Sequence, residues 1–124
     1  PYGTVNLLYG VPAGETPVAS LAGGGTLTLE FELLSRLTGD DSFGKAAKLA
    51  SRALWMKRSA SNLLGKHINV QSGTWTEHVS GIGSNSDSYL EYLVKHYMLF
   101  PEDSDFWTMV QSVYSGIQRE ARVG

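Results

Sequence analysis

Four stretches of this chain place apolar residues at the spacing of an amphipathic helix, and they fall into two pairs. That pairing limits the fold more than any other feature. The first helix is expected from Thr26 to Leu37, closed by Gly39 as a C-terminal cap. Asp40 or Asp41 then caps a second helix running to about Lys57, with Phe43, Ala47, Ala50 and Leu54 along its stripe. Between the pairs, Lys66–Val70 and Thr74–Val79 flank Gln71-Ser72-Gly73, the pattern of a β-hairpin with a glycine turn. Ser84–Ser86 offer caps for a third helix from Asp87 to Phe100, stopped by Pro101. The fourth, capped near Ser104, carries Phe106, Met109, Val110, Val113 and Ile117 on one face. Paired helices joined by short turns read as an all-α bundle, solenoid or toroid, here with one small hairpin. No sequence repeat is visible, which argues against a simple solenoid.

Residues 1–25 differ from the rest. They hold six glycines and three of the four prolines, so this part is read as irregular. A long structureless entry is out of place in a plain bundle and points to a functional loop or to a larger parent domain. Composition narrows the function classes. At 42% hydrophobic and 18% charged residues the chain is expected to fold. A net charge of −2 leaves no basic footprint for nucleic acid. No apolar run is long enough to span a bilayer, and no signal-peptide pattern is read within these residues. Without cysteine there is no disulfide framework and no thiolate metal site in these residues.

The residue that points to chemistry is Glu30. With about 100° of rotation per residue, Leu27, Leu29, Phe31, Leu33, Leu34 and Leu37 form one apolar arc, and Glu30 falls near its middle. Thr28, Glu32, Ser35 and Arg36 fill the opposite side. Glu32, four residues before Arg36, is expected to make an ordinary surface pair. A carboxylate buried without a partner costs several kcal/mol, so it protonates or finds partners. Held neutral near physiological pH, it is a general acid. Held by a buried arginine or by helix amides, it is only structural; the helix wheel leaves both open.

Glu91 lies with Asp87 and Lys95 along one stripe, four residues apart at each step. A solvated Glu–Lys pair explains that spacing. The same stripe borders the arc of Leu90, Leu93, Val94, Tyr97 and Met98, and Tyr89 and Tyr92 flank it, an arrangement suited to recognising hydroxyls. Trp75 can stack on a sugar face or simply pack the hairpin. His67, His78 and His96 lack metal-ligand spacing. Gly23-Gly24-Gly25 could cradle an anion ahead of a helix, but no P-loop signature follows, and close backbone approach or a flexible entry explains it better. No Asn-x-Ser/Thr acceptor occurs.

Several stretches together resemble one family. Tyr2-Gly3-Thr4-Val5-Asn6-Leu7, Gly10-Val11-Pro12 and Gly14-Glu15-Thr16 are similar to the opening of the endoplasmic reticulum (ER) degradation-enhancing α-mannosidase-like proteins. Leu29-Glu30-Phe31, Leu34-Ser35-Arg36-Leu37-Thr38-Gly39-Asp40 and Asp87-Ser88-Tyr89-Leu90-Glu91-Tyr92-Leu93 resemble the wider glycoside hydrolase family 47. The likeness runs from Tyr2 to about Ile117. It implies that residues 1–124 are the N-terminal part of a catalytic domain, a segment of an (α/α)7 toroid. It implies an inverting, calcium-using hydrolase of the ER lumen that trims terminal α-1,2-mannose from high-mannose N-glycans of misfolded glycoproteins, marking them for degradation. The alternative within this branch is a lectin that holds such clients without cutting.

On matching positions Glu30 corresponds to the general acid and Glu91 to an active-site carboxylate at the sugar. Asp87, Arg36 and Trp75 are carried as substrate-binding candidates. The family's Arg-Pro-Glu base motif, a further catalytic aspartate and the calcium-binding Thr-Glu-Ala-His stretch do not occur here. The resemblance therefore places the calcium ligands outside this segment and implies that these residues alone cannot complete the site. It also implies a protein disulfide isomerase-type oxidoreductase as a partner.

Overall fold

The computed structural model describes residues 1–121. Five helices and three short strands follow one another as β1 (Val18–Ser20), α1 (Leu21–Gly25), α2 (Thr28–Thr38), α3 (Ser42–Trp55), β2 (His67–Asn69), β3 (Thr74–Glu77), α4 (Asp87–Leu99) and α5 (Asp105–Glu120). The four long helices and the hairpin are those expected. Gly39 closes α2 at φ 76°, a left-handed conformation that an L side chain resists, and its N–H bonds back to Ser35 O at 2.9 Å. The tail of α3 ends two residues early. Lys57 and Arg58 bond only three residues back, to Leu54 and Trp55, which tightens the last turn.

The entry segment corrects the sequence reading. Residues 1–25 are not irregular throughout. Val18–Ser20 adds a third antiparallel strand, pairing Val18 with Asn69, Ala19 with Ile68 and Ser20 with His67. Three residues are too few to show an alternating pattern, and the partner lies far along the chain, so no local signal marks the strand. The triple glycine forms the short helix α1, capped by Ser20 Oγ, which accepts from Gly23 N at 2.9 Å. A side chain at Gly25 would collide with the Tyr89 ring. Close approach, not an anion cradle, is thus what this glycine supplies.

The core lies where the sheet, α1, α3, α4 and α5 meet. Leu21, Leu54, Trp55, Leu64, Ile68, Tyr89, Leu93, Phe106, Met109 and Val113 are all buried there. The expected face of α5 is the one that packs, with Phe106 fully buried. Burying each such side chain contributes about 1.5–3 kcal/mol.

Helix α2 breaks the usual rule. It buries Thr28, Glu32 and Ser35 and exposes much of its leucine arc: Leu37 is 77% exposed and Leu33 51%. The reason is the facing surface. Helix α3 presents Gly44, Ala47 and Ser51, small residues that let the backbones approach, and Gly44 N donates to Ser35 Oγ at 2.8 Å. Among the described residues no helix is long and apolar enough to cross a membrane.

Candidate active site

Glu30 stands in the first turn of α2, on the exposed side. The helix wheel placed it correctly within the leucine arc, but that arc faces away from these elements. Its carboxylate meets α4: Tyr92 Oη donates to Glu30 Oε1 at 2.7 Å. The hydrogen bond to Glu30, with burial and the charges of Glu30 and Glu91, pushes the Tyr92 phenol up from its ordinary range, so it stays a donor. Glu91 precedes Tyr92 and takes Lys95 Nζ at 3.1 Å, the i,i+4 pair expected from its spacing. Asp87 sits at the start of the same helix, its Oδ1 accepting from Ser88 N at 2.9 Å. Helices α2 and α4 thus bring Glu30 and Tyr92 together, and Glu91 is the residue before Tyr92 on α4.

The opposite face of α2 corrects a second expectation. Glu32 is not a surface residue; it is 9% exposed. Its Oε2 meets Lys48 Nζ at 2.9 Å and its Oε1 takes Arg36 Nε at 3.2 Å. Lys48 also bonds Asp103 Oδ2 at 3.0 Å, and Arg52 chelates Asp105 with distances of 2.6 and 3.0 Å. His96, fully buried, stacks on Phe106 with centroids 4.0 Å apart and pairs its Nε2 with Asp103 Oδ2 at 2.9 Å. This network ties α2, α3, α4 and the turn before α5. Sequence reasoning missed it because its members come from four separate places in the chain; the Glu32–Arg36 spacing was its one local trace.

The remaining candidates have other attachments. Arg36 bonds Glu32 and Glu102, and its guanidinium carbon lies 4.4 Å above the Phe100 ring, a link between α2 and the α4–α5 turn. Trp75 donates Nε1–H to Lys57 O at 2.7 Å and packs against the core and Gly65, in the hairpin rather than beside Glu30. Tyr89, expected to flank the carboxylates for hydroxyl recognition, is fully buried and donates to Ser51 O at 3.0 Å. Its neighbour Tyr92 keeps the exposed position. Among the described residues no group of three or more His, Asp or Glu gathers to hold a metal. Glu32, Asp103 and Asp105 are paired with lysine and arginine, so they do not fit a calcium ion.

With that geometry in place, comparison with known proteins is decisive. The model of glycosyl hydrolase family 47 matches residues 1–124. The chain belongs to glycosyl hydrolase family 47. Similar proteins include an alpha-mannosidase I of Arabidopsis thaliana, 48% identical over 118 residues, covering 95% of this chain and 19% of the relative. The ER degradation-enhancing alpha-mannosidase-like protein 2 of Homo sapiens is 52% identical over 102 residues, covering 82% and 18%. The structure superposes on the alpha-1,2-mannosidase from Trichoderma reesei with a TM-score of 0.77 at 23% identity, covering 92% of this chain and 24% of that one. The fold is accordingly that of a segment of the family's (α/α)7 toroid. The chain spans about a fifth of the length of the curated relatives it matches. The resemblance to the family read from the sequence is thus shown, and degradation-enhancing α-mannosidase-like proteins are among the similar proteins.

Proposed function

We propose that these residues belong to the catalytic domain of an inverting α-1,2-mannosidase, with Glu30 as its general acid. The substrate is terminal mannose on high-mannose N-glycans of misfolded glycoproteins in the ER lumen, and the product marks them for degradation. The observation that carries this reading is the hydrogen bond from Tyr92 to Glu30 across α2 and α4, in a chain of this family. Inversion needs an acid on one side of the glycosidic bond and a base-activated water on the other. Glu30 protonates the departing oxygen, and Glu91 and Asp87 accept from sugar hydroxyls. The base and the calcium ligands belong to residues beyond these. The exposed leucine arc around Glu30 supports the assignment, since the rest of a toroid would cover it and hold the carboxyl in an apolar wall. Arg36 and Trp75 are left out of the sugar site because their contacts are already accounted for. An oxidoreductase partner is an expectation of the family only.

The test is trimming of a high-mannose glycan by the full-length protein with calcium present, wild type against Glu30→Gln. General acids contribute about 10²–10⁴-fold, so a loss of that order with unchanged thermal unfolding is expected. Equal trimming by both proteins would return Glu30 to a structural role. Trimming lost while client degradation continues would favour the lectin alternative.

A further inference from the structure

A general acid needs more than a proton; its two oxygens must be told apart. Glu30 is on an exposed helix face, and the carboxylate of an exposed glutamate rotates freely unless something holds it. One group does. Tyr92, half-buried beside the fully buried Leu93, points its hydroxyl at Oε1 from the neighbouring helix. The neighbouring acidic groups of α4 have different partners, Lys95 for Glu91 and the Ser88 amide for Asp87.

We propose that Tyr92 is the positioning residue of the acid: its phenol holds Oε1 of Glu30, so that Oε2 carries the proton to the leaving oxygen. The inference rests on the reading of Glu30 given above. The proton passes from Oε2 to the glycosidic oxygen as the bond to the anomeric carbon breaks, and Glu30 is left as a carboxylate. Tyr92 keeps its own proton throughout; the upward push on its phenol agrees with that. Its hydrogen bond strengthens as negative charge grows on Glu30, because bonds to ionised acceptors are stronger than bonds to neutral ones. An interaction stronger in the transition state than before it raises kcat rather than lowering KM.

Tyr92→Phe in the full-length protein removes one oxygen and keeps the ring. Loss of the donor leaves the carboxylate formed at Glu30 in the transition state without this hydrogen bond. We expect kcat to fall about tenfold with KM nearly constant. Thermal unfolding is expected to stay within a degree or two. Unchanged kcat would overturn the proposal. So would a slower enzyme whose KM rises or whose thermal unfolding drops with kcat, because a packing defect gives that result. Glu30→Gln run alongside separates the two readings. If Glu30→Gln is inactive while Tyr92→Phe behaves as wild type, only the positioning role falls. If Glu30→Gln still trims, both fall.

Discussion

Glu30 and Glu32 stand two residues apart on one helix and live in opposite surroundings. Glu32 is buried and takes two cations, Lys48 and Arg36. Glu30 is exposed and takes a single hydroxyl, that of Tyr92. The conventional rule, polar side out and apolar side in, assigns them the other way round. The rule fails because the polar face of α2 is the one packed against α3, while much of its leucine arc stays exposed. A carboxylate that has cations at hand is part of the architecture; one left with a neutral donor is the one proposed here for chemistry. On this helix the partners, not the place on the wheel, separate the two acids.

The sharpest way to break this comparison is to exchange the consequences of mutation. Lys48 is 16% exposed at its side chain and bridges Glu32 to Asp103. Lys48→Met leaves two largely buried carboxylates short of a cation. Removing one partner of a buried pair costs about 3–5 kcal/mol. Here Arg36 and Arg52 remain near the carboxylates, so about 2–3 kcal/mol is expected in denaturant unfolding of the full-length protein. Glu30→Gln should fall within about 0.5 kcal/mol of wild type in the same assay. If Lys48→Met is silent and Glu30→Gln destabilises, the division between the two faces is wrong.

How much of this was legible beforehand follows from which signals are local. The four long helices, the Gly39 cap, the Pro101 stop and the hairpin turn are encoded within a few residues each, and all are present. The strand Val18–Ser20 exists only because β2 offers it an edge. The charged network needs Glu32, Lys48, His96 and Asp103 to converge, and no spacing in a single sequence announces that. The helix wheel singles out Glu30 by its place among leucines, but it implies burial where the side chain is exposed. That its neighbours Leu33, Leu34 and Leu37 look outward from these elements could not be read from periodicity, which gives the faces of a helix but not which neighbour each one meets.

The buried network also predicts that stability depends on pH. Burial pushes the His96 imidazole below its ordinary 6.5, against the pull of Asp103. Its Nδ1 has no partner, so a second proton there would be buried without an acceptor. The unfolded chain therefore binds this proton more readily than the folded one, and stability is lost as pH falls below about 6.5. Asp103 behaves as a lowered acid. Burial pushes it up, but hydrogen bonds from His96 and Lys48 outweigh that and hold it below its ordinary 3.8. Its contribution is present above 3.8 and fades below it. Two steps of acid destabilisation are expected, the first near neutral pH. His96→Gln should abolish the first step and leave the second, as followed by unfolding at fixed intervals between pH 7 and 2. A first step that persists in His96→Gln would assign it to another group.

The smallest effect is expected at Lys95, and it bears on which side of the comparison Glu91 belongs to. Lys95 and Glu91 are 54% and 59% exposed at their side chains, so their 3.1 Å pair is solvated within this segment. Such pairs contribute about 0.3–0.5 kcal/mol. Lys95→Ala should therefore change unfolding by no more than that if the pair stays in water in the full-length protein. A cost above about 1 kcal/mol would mean that further helices cover it, and that Glu91, like Glu32, is then a buried carboxylate depending on a cation. In that case Glu91 would join the architecture, and Glu30 with Tyr92 would carry the chemistry of this face alone.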